Sequence, residues 1–347
     1  MPAEIPFRLS WESHPAQLIT DSPELRNQWN ALNAATTRLV FMDAEAIHCA
    51  LKHFGSGKER LFVGRDQHGI QCMAVVKPVD WLRWSTFQPS QIPLGAFLLA
   101  PDANFPDVSG GLLRALPGFP LALSITQLDP LFVPRPAHTS TLRTADYIET
   151  GWIDLTGSFD EYWAARSKNL RNNMRKQANK LANDGTRIEF RAIQKPDQIA
   201  EAVIRYGELE STGWKAKQGT AVNPGNVQGR FYSELMSEAA KKNGAIVYEY
   251  WLEDKLVASN LCVERDKTLI ILKTTYSEQY NRLSPAFLLR LAEIQSAFTT
   301  GNTARIELYG RKREWHLSWT NHFRTIYHTT IYRTPLIRLL AEIARLN

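Results

Sequence analysis

The chain has 347 residues, of which 44% are hydrophobic and 22% charged, and its formal net charge is +6. The length suggests two domains, and the composition excludes wholesale disorder. The mild positive charge fits an anionic ligand, such as a phosphate-bearing cofactor, better than it fits a dedicated nucleic-acid binder, and no DNA partner is expected. Three scattered cysteines exclude a disulfide framework and lack zinc-ligand spacing, so we expect a reducing compartment and no metal.

Neither a signal peptide nor a transmembrane segment is expected. The first residues lack a basic stretch followed by an apolar run, and no window approaches the roughly 18 apolar residues that cross a bilayer. We therefore expect a cytoplasmic protein.

The first half of the chain predicts a helix followed by β structure. Ser22-Pro23-Glu24 has the residue types of a helix start, with the serine as the N-cap. Residues 60–77 predict a hairpin around the turn at 66–69, and the apolar run 94–100 follows Pro-rich loops. Residues 134–149 are poor in large apolar side chains, which favours a linker.

The second half predicts alternating strands and helices. A strand at 152–157 precedes a helix that begins near Ser158 and ends near Asn183. Further elements follow in chain order: a strand at 187–193, helices at 196–209 and 229–242, an antiparallel meander of three β-rich runs at 245–276, a helix from Ser284-Pro285 that stops at Gly301, strands at 305–309 and 325–333, and an amphipathic helix from Pro335.

The two halves echo each other. Each has a hairpin with an acidic turn, further β structure and a similar apolar run, Ala96-Phe97-Leu98-Leu99 in one half and Ala286-Phe287-Leu288-Leu289 in the other. The shared order of elements favours an internal duplication. We expect four segments: an N-terminal domain at 1–135, a linker at 136–150, a C-terminal domain at 151–334 and a terminal amphipathic helix at 335–347.

A cationic helix is the first candidate binding feature. The segment 163–181 carries six cations, among them Lys168, Arg171 and Arg175, and no carboxylate. Such a helix is either a solvated surface or, because it gains no salt-bridge support, a face for an anionic partner. The partner would be cofactor phosphates, an acidic carrier protein or nucleic acid.

The helix start at Ser284-Pro285 is the second candidate. A helix N-terminus presents free amides and a positive dipole end, which suit a phosphate, and Arg282 precedes it by two residues. An ordinary capped core helix explains the same residues.

A polar and aromatic cluster at 307–320 is the third candidate. It contains Glu307, Tyr309, Arg311 and His316 together with two tryptophans. Carboxylate, phenol and imidazole are the groups that deprotonate an amine or a hydroxyl. An ion-pair patch between domains explains the cluster equally well.

Taken in order, these features resemble the GNAT-type acetyltransferase domain of the cellulose-biosynthesis (CelD-like) family, a relative of the FemAB-type peptidyl transferases. The resemblance covers residues 151–333: SKNLRNNMRK in the cationic helix, the ELESTGWK segment, the meander, the Ser-Pro helix start, the stop at Gly301, an acidic strand and a W-x-x-x-W end. The family pattern has Gly where Ala286 stands, Asp where Glu307 stands and Tyr-Lys where Trp315-His316 stands.

The resemblance implies an α/β (α+β) fold of tandem GNAT-like domains, each a mixed, largely antiparallel sheet flanked by helices, with a non-catalytic N-terminal domain. It implies transfer of an acyl group, in the first instance acetyl, from acetyl-CoA or another acyl-CoA to an amine or hydroxyl without a covalent enzyme intermediate. The acceptor would be a small molecule, a saccharide or an exopolysaccharide precursor, so the resemblance points to polysaccharide biosynthesis.

The resemblance also implies roles for individual residues. Glu307 is the first choice of general base, with Tyr309 and His316 behind it. A splayed meander strand would hold the pantetheine arm, and the pyrophosphate would bind around the helix start: Arg282, Ser284, Ala286 and Phe287. Contacts to substrate or anion are expected from six further residues: Lys168, Arg171, Arg175, Trp214, Arg311 and Trp315.

Other functions stay open. A FemAB-like transferase that uses charged tRNA would need the cationic helix, and a non-enzymatic GNAT scaffold would explain the replaced Lys at His316. Cys262 is poorly supported as a nucleophile, because it lies in an apolar strand with no neighbouring base. The absence of GxxxxGK[ST], GxGxxG, HExxH and GxSxG motifs weakens NTPase, Rossmann, metalloprotease and hydrolase functions.

Overall fold

The chain forms two compact units in the computed structural model, which describes residues 9–212, 222–223 and 225–346. Unit 1 comprises Met1–Glu149 and Arg324–Asn347, and unit 2 comprises Thr150–Phe323. No helix among the described residues combines the length and the hydropathy that crossing a bilayer requires.

Unit 1 begins with a strand, then three helices, and then the hairpin predicted at residues 60–77. Its elements are β1 (Ser10–Pro15), α1 (Leu18–Asp21), α2 (Pro23–Ala35), a 3₁₀ turn (Val40–Met42), α3 (Ala44–Phe54), β2 (Arg60–Asp66), β3 (Gly69–Pro78), β4 (Arg83–Thr86), β5 (Phe97–Leu99), α4 (Phe105–Ala115), β6 (Ala122–Leu128), the first part of β7 (Leu142–Asp154), most of β13 (His322–Tyr332) and α11 (Pro335–Leu346). Ser22 caps α2 as predicted, by accepting a hydrogen bond from the Leu25 amide at 3.4 Å.

Unit 2 begins with the end of β7 and contains the predicted meander. Its elements are α5 (Phe159–Ala164), α6 (Lys168–Asn183), β8 (Ile188–Ile193), α7 (Pro196–Ser211), α8 (Val227–Ala240), β9 (Ala245–Leu252), β10 (Lys255–Arg265), β11 (Thr268–Tyr276), a 3₁₀ turn (Glu278–Leu283), α9 (Pro285–Thr300), β12 (Arg305–Glu307), α10 (Glu314–Leu317) and the start of β13.

The strands follow the same topology in both units. The order is β1-β2-β3-β4-β6-β13 in unit 1 and β8-β9-β10-β11-β12-β7 in unit 2. The fourth and fifth strands of each series, β4 with β6 and β11 with β12, are parallel neighbours, and the other neighbours are antiparallel. A helix joins each parallel pair, as a parallel connection requires. The predicted tandem fold of mixed, largely antiparallel sheets is confirmed.

Alternating side chains place the core of unit 2 on one face of its strands. Leu269, Ile271 and Ile306 join a buried cluster with Leu288 and Leu289 of α9. Helices α5 and α6 contribute to the same cluster. Helices α7 and α8 pack on the opposite face of the sheet. The sheet of unit 2 is therefore covered by helices on both faces.

Several predicted boundaries differ from those in the structure. The segment 136–150 is not a linker along its whole length, because β7 begins at Leu142. The helix predicted from Ser158 to Asn183 is two helices, and Ser167 caps the second by accepting from the Leu170 amide at 3.2 Å. Residues 324–334 belong to unit 1 because β13 pairs with β6.

The sequence echo at 96–99 and 286–289 does not join equivalent elements. The first run contains strand β5, whereas the second lies in helix α9. Four apolar residues pack equally well in a strand and in a helix, so the short echo is not evidence for a duplication. The shared strand topology of the two units supports the duplication instead.

Replacing Leu289 by Ala should destabilise unit 2 by about 2–5 kcal/mol, because the side chain is fully buried under the sheet and its loss leaves a cavity. Urea unfolding measures the change. Ile204→Ala, on the exposed side of α7, is the matched control and should change the free energy of unfolding by less than about 0.5 kcal/mol. Equal effects of the two substitutions would contradict this packing.

Candidate active site

Strand β11 contains one extra residue, and this residue turns the end of the strand. Lys273 pairs with Leu261 of β10 and Ile271 pairs with Cys262, so Leu272 is left as a bulge between them. Before the bulge, Ile271 faces α9. After it, Thr274 and Tyr276 face the same side, while Lys273 lies over the Tyr232 ring of α8 on the other side.

The parallel strands β11 and β12 part just before this bulge. They pair over three residues only, from Thr268 with Arg305 to Ile270 with Glu307. Strand β12 ends there, whereas β11 continues to Tyr276. The backbone of the second half of β11 is therefore not paired with β12, and a gap opens between the two strands beyond Glu307.

A cavity of about 460 Å³ lies on the α9 side of this gap. The volume lies within the range of small-molecule sites. It is lined by residues of β11, the turn after it, the start of α9 and α10 with the residue beyond it: Thr274, Tyr276, Asn281, Ser284, Pro285, Ala286, Phe287, Arg290, Trp315 and Trp319. Ser284, Ala286, Phe287 and Trp315 thus line one cavity, whereas exposed Arg282 is not among the lining residues described.

Trp319 forms an aromatic wall of the cavity. Its ring lies 5.5 Å from the ring of Phe287 and 6.4 Å from that of Trp163 in α5. Its carbonyl accepts hydrogen bonds from the Tyr162 hydroxyl at 2.8 Å and from Arg166 Nη1 at 2.6 Å. These contacts hold the wall rigid, because both the ring and the backbone of Trp319 are fixed.

The first turn of α9 presents its N-terminus to the cavity. Ser284 has left-handed backbone angles, with φ 55° and ψ 54°, and its side chain does not cap the helix. Its carbonyl instead accepts hydrogen bonds from the amides of Phe287 at 2.9 Å and Leu288 at 3.1 Å. The hydroxyl of Ser284 is therefore not used as a cap and lies in the cavity wall, beside the positive end of a 16-residue helix.

A buried guanidinium supplies the positive charge of the cavity. Arg290, which is 3% exposed, donates from Nη1 to Glu293 Oε2 at 2.9 Å. Asn260 of β10, paired with Thr274, donates to the other oxygen of Glu293. Burial raises the pKa of Glu293, while the Arg290 charge and the Asn260 hydrogen bond oppose that rise. Arg290 is thus fixed at the cavity wall by a partner that is itself held in place.

Glu307 lies at the point where the strands part, on the face opposite the cavity. Its neighbour Ile306 faces the α9 core, so strand alternation turns Glu307 the other way. There its Oε1 lies 3.7 Å from Nη1 of Arg305, whose guanidinium stacks on Trp152 at 5.3 Å. Glu307 is 3% exposed and is not among the described residues that line the cavity.

His316 is held by the turn that contains it. Its Nδ1 accepts a hydrogen bond from the Arg313 amide at 2.8 Å, and its ring stacks on Trp315 at 3.6 Å. Burial lowers its pKa to about 4, and the charges of Arg290 and Arg313 add to this lowering. The ring is therefore neutral at pH 7, which makes it a weak base and suits a structural role in this turn.

The remaining residues predicted for the site are scattered. Tyr309, with φ 20°, begins the loop after β12, and Arg311 is exposed in that loop. Lys168 and Arg175 are exposed on α6, while the buried Nε of Arg171 has no hydrogen-bond partner among the described residues. Trp214, predicted from the ELESTGWK segment, lies outside the described residues.

Cys262 is fully buried in β10, and burial raises its pKa well above the usual value. The charge of Glu293 adds to the rise. The residue is a neutral thiol at physiological pH and lacks the properties of a nucleophile.

Sequence reasoning missed the residues that shape the cavity from inside the helix and the sheet. Arg290 and Glu293 stand three apart in the apolar run LLRLAEI, and such a pair among leucines is a detectable signal of a buried ion pair. Thr274, Tyr276 and Asn281 have no signal of this kind, because their orientation depends on the bulge at Leu272.

The lowered pKa of His316 should make unit 2 sensitive to acid. A histidine whose pKa is lower in the folded state stabilises the fold above pH 6.5, and this stabilisation is lost as the pH falls towards about 4. We expect a loss of about 1–3 kcal/mol over this range. The variant His316→Asn can still accept the hydrogen bond from the Arg313 amide through its Oδ1 but does not titrate. Its free energy of unfolding should therefore fall less than that of the wild type over the same pH range. Urea unfolding between these pH values tests it, and equal losses in both proteins would assign the sensitivity to other groups.

Sequence and structure comparisons agree with this geometry. Residues 168–316 match the family described as acetyltransferase (GNAT) domain. No curated protein shows a significant sequence match to the chain.

Solved structures of low sequence identity share the fold over most of both chains. One, described as the C-terminal domain of a lysylphosphatidylglycerol synthetase from Agrobacterium fabrum, is 14% identical with a TM-score of 0.58, covering 91% of this chain and 94% of that one. L-PGS from Bacillus licheniformis is 16% identical with a TM-score of 0.54 and coverages of 94% and 96%. FemX is 8% identical with a TM-score of 0.58 and coverages of 91% and 98%. The family match covers 149 residues of unit 2, and these structures show that the chain shares their fold.

Proposed function

We propose that unit 2 transfers an acyl group, in the first instance acetyl, from acyl-CoA to an amine or hydroxyl acceptor. The parting of β11 and β12 beside a 460 Å³ cavity is the observation that carries this proposal. Two strands that separate expose backbone groups, which can hydrogen-bond an extended amide-containing chain such as pantetheine.

The cavity has the chemistry that such a donor needs. The positive end of α9 suits the pyrophosphate, and Ser284 adds a hydroxyl at this point. Phe287, Trp315 and Trp319 give the apolar surface that an acyl chain requires. Arg290 would stabilise negative charge that develops on the thioester oxygen.

Glu307 is the proposed general base, and it acts from the other face of the sheet. For this role the acceptor would have to reach the thioester beside Glu307, where the pairing of β11 with β12 ends. Glu307 would take the proton from the acceptor as its nitrogen or oxygen attacks the thioester carbon. The carbon–sulfur bond then breaks, and the leaving thiolate takes up a proton. We give His316 a structural role, because its Nδ1 already accepts the Arg313 amide.

Unit 1 is proposed to be non-catalytic, since the corresponding gap is closed. Thr86 at the end of β4 bonds Thr126 of β6 through its hydroxyl at 2.8 Å and through the Thr126 amide at 3.0 Å. Gly95 fills the space beside them: a Cβ there would lie 2.4 Å from the Thr126 carbonyl oxygen. The cavity nearby measures about 20 Å³, which is room for about one water.

An aminoacyl transferase that uses charged tRNA is the second candidate. The exposed cations of α6 favour it, because within the described residues none of them forms an ion pair with a carboxylate. One structurally similar protein is described as the C-terminal domain of a lysylphosphatidylglycerol synthetase, and this description of a lysyl transfer gives the candidate weight. The leading proposal, acyl transfer from acyl-CoA, includes a saccharide or exopolysaccharide precursor as the acceptor. It also includes a cytoplasmic location.

Acetyl-CoA should raise the melting temperature of the wild type and bind far more weakly to Ala286→Asp. A carboxylate in the first turn of α9 stabilises the helix but repels phosphate, so folding is kept while affinity falls by at least about tenfold. Calorimetric titration measures the affinity, and Ala286→Ser is the uncharged control. An unchanged wild-type melting temperature, together with salt-sensitive tRNA binding that Arg175→Ala weakens, would favour the second candidate.

Glu307→Gln should lower kcat by about 100-fold or more and leave the affinity for acetyl-CoA within about twofold, because the amide keeps the size of the side chain but cannot accept the proton. Thiol release from acetyl-CoA with a panel of amines and sugars provides the assay. His316→Asn is the matched control and should retain most of the activity. Undiminished turnover in Glu307→Gln would exclude it as the base.

A further inference from the structure

The C-terminal helix α11 is oriented with its apolar side towards solvent. Leu336, Leu339, Leu340 and Ile343 are between 50% and 63% exposed and recur at helical spacing along one side of the helix. Helices on a protein surface ordinarily bury such a stripe.

The half-buried side of α11 is partly polar. Arg338 pairs with Glu342 at 3.1 Å and donates to the Leu142 carbonyl at 3.5 Å. The helix thus exposes its apolar stripe to solvent and turns an ion pair towards the rest of unit 1. Large exposed apolar patches mark interaction sites, so this orientation indicates that the stripe has a binding partner.

Two exposed aromatic side chains of unit 1 lie on segments that are linked by hydrogen bonds or stacking to Arg333, just before α11. Arg333 stands two residues before the start of α11, and its guanidinium stacks at 4.1 Å on the ring of Phe119. Phe119 is 68% exposed. The Arg333 amide donates to the Leu121 carbonyl at 2.9 Å, and the Leu121 amide donates to the Leu82 carbonyl at 2.7 Å. Trp81, the neighbour of Leu82, is 83% exposed. We define the α11 patch as the four aliphatic residues together with Phe119 and Trp81.

The charges around the α11 patch are mainly positive. Residues 333–347 contain three arginines and one glutamate, and that glutamate, Glu342, is paired with Arg338. Arg83, close to Trp81, pairs with Asp80 at 2.6 Å and therefore adds no net charge. Arginine beside tryptophan, phenylalanine and leucine is the composition of helices that lie in the headgroup region of anionic bilayers.

We propose that the α11 patch binds the surface of an anionic lipid bilayer, with α11 parallel to the membrane plane. Helix pairing between two copies fits less well, because α11 has 12 residues, which is less than two heptads, whereas paired helices repeat their stripe over several. The proposal does not depend on the acyl donor or acceptor of unit 2.

Vesicle co-sedimentation of the full chain tests this proposal. Binding should be strong for vesicles of phosphatidylcholine mixed with phosphatidylglycerol, and at least about tenfold weaker for phosphatidylcholine alone. Raising the salt from about 0.1 M to about 0.5 M should weaken the binding.

The double variant Leu339→Gln/Leu340→Gln should bind at least about tenfold more weakly, with an unchanged melting temperature because both side chains are exposed. Ile204→Gln, an exposed aliphatic position in α7, is the control and should bind like the wild type. Three outcomes would overturn the proposal: absence of binding to either vesicle, equal binding of the double variant, or sedimentation of the wild type as a dimer that the double variant abolishes while vesicles are ignored.

Discussion

The extra residue in β11 is the constraint on which the architecture of the candidate site depends. A β-sheet pairs its strands continuously unless something interrupts the ladder, and the bulge at Leu272 changes the direction of β11 next to the point where β12 ends. Because side chains alternate, the same residue also decides which ones face α9. Thr274 and Tyr276 reach the cavity only because the alternation is shifted by one position.

A comparison of the two units shows what this constraint contributes. Both have a parallel strand pair that is three residue pairs long and joined by a helix. In unit 1 the hydroxyl of Thr86 bridges to Thr126, and the chain at Gly95 fills the remaining space. In unit 2 the corresponding strands separate and a cavity of about 460 Å³ remains. A shared topology therefore supports a ligand site in one unit and a closed sheet in the other, as expected where function depends on local sites rather than on fold.

Buried polar groups stabilise the geometry of the cavity. Arg290 is fixed by Glu293, which Asn260 holds in turn, and His316 is fixed by the Arg313 amide. Each of these groups would be costly to bury without a partner, and each has one. The result is a cavity wall with one positive charge at a defined position, and a neutral imidazole in the turn that presents Trp315 and Trp319.

The sequence by itself determined most of the elements and their order along the chain, because helix caps, turn residues and apolar periodicity are local signals. Ser22, Ser158 and Gly301 begin or end helices as their residue types predict. The sequence also places Ser284, Ala286 and Phe287 close together, because they lie within one helical turn. Only the tertiary structure decided that Arg290 reaches the cavity, that Glu307 faces away from it, and that the stripe of α11 faces solvent. These facts depend on a bulge, on strand alternation relative to a distant helix and on which side of a helix packs, and none of them is encoded in a short stretch of residues.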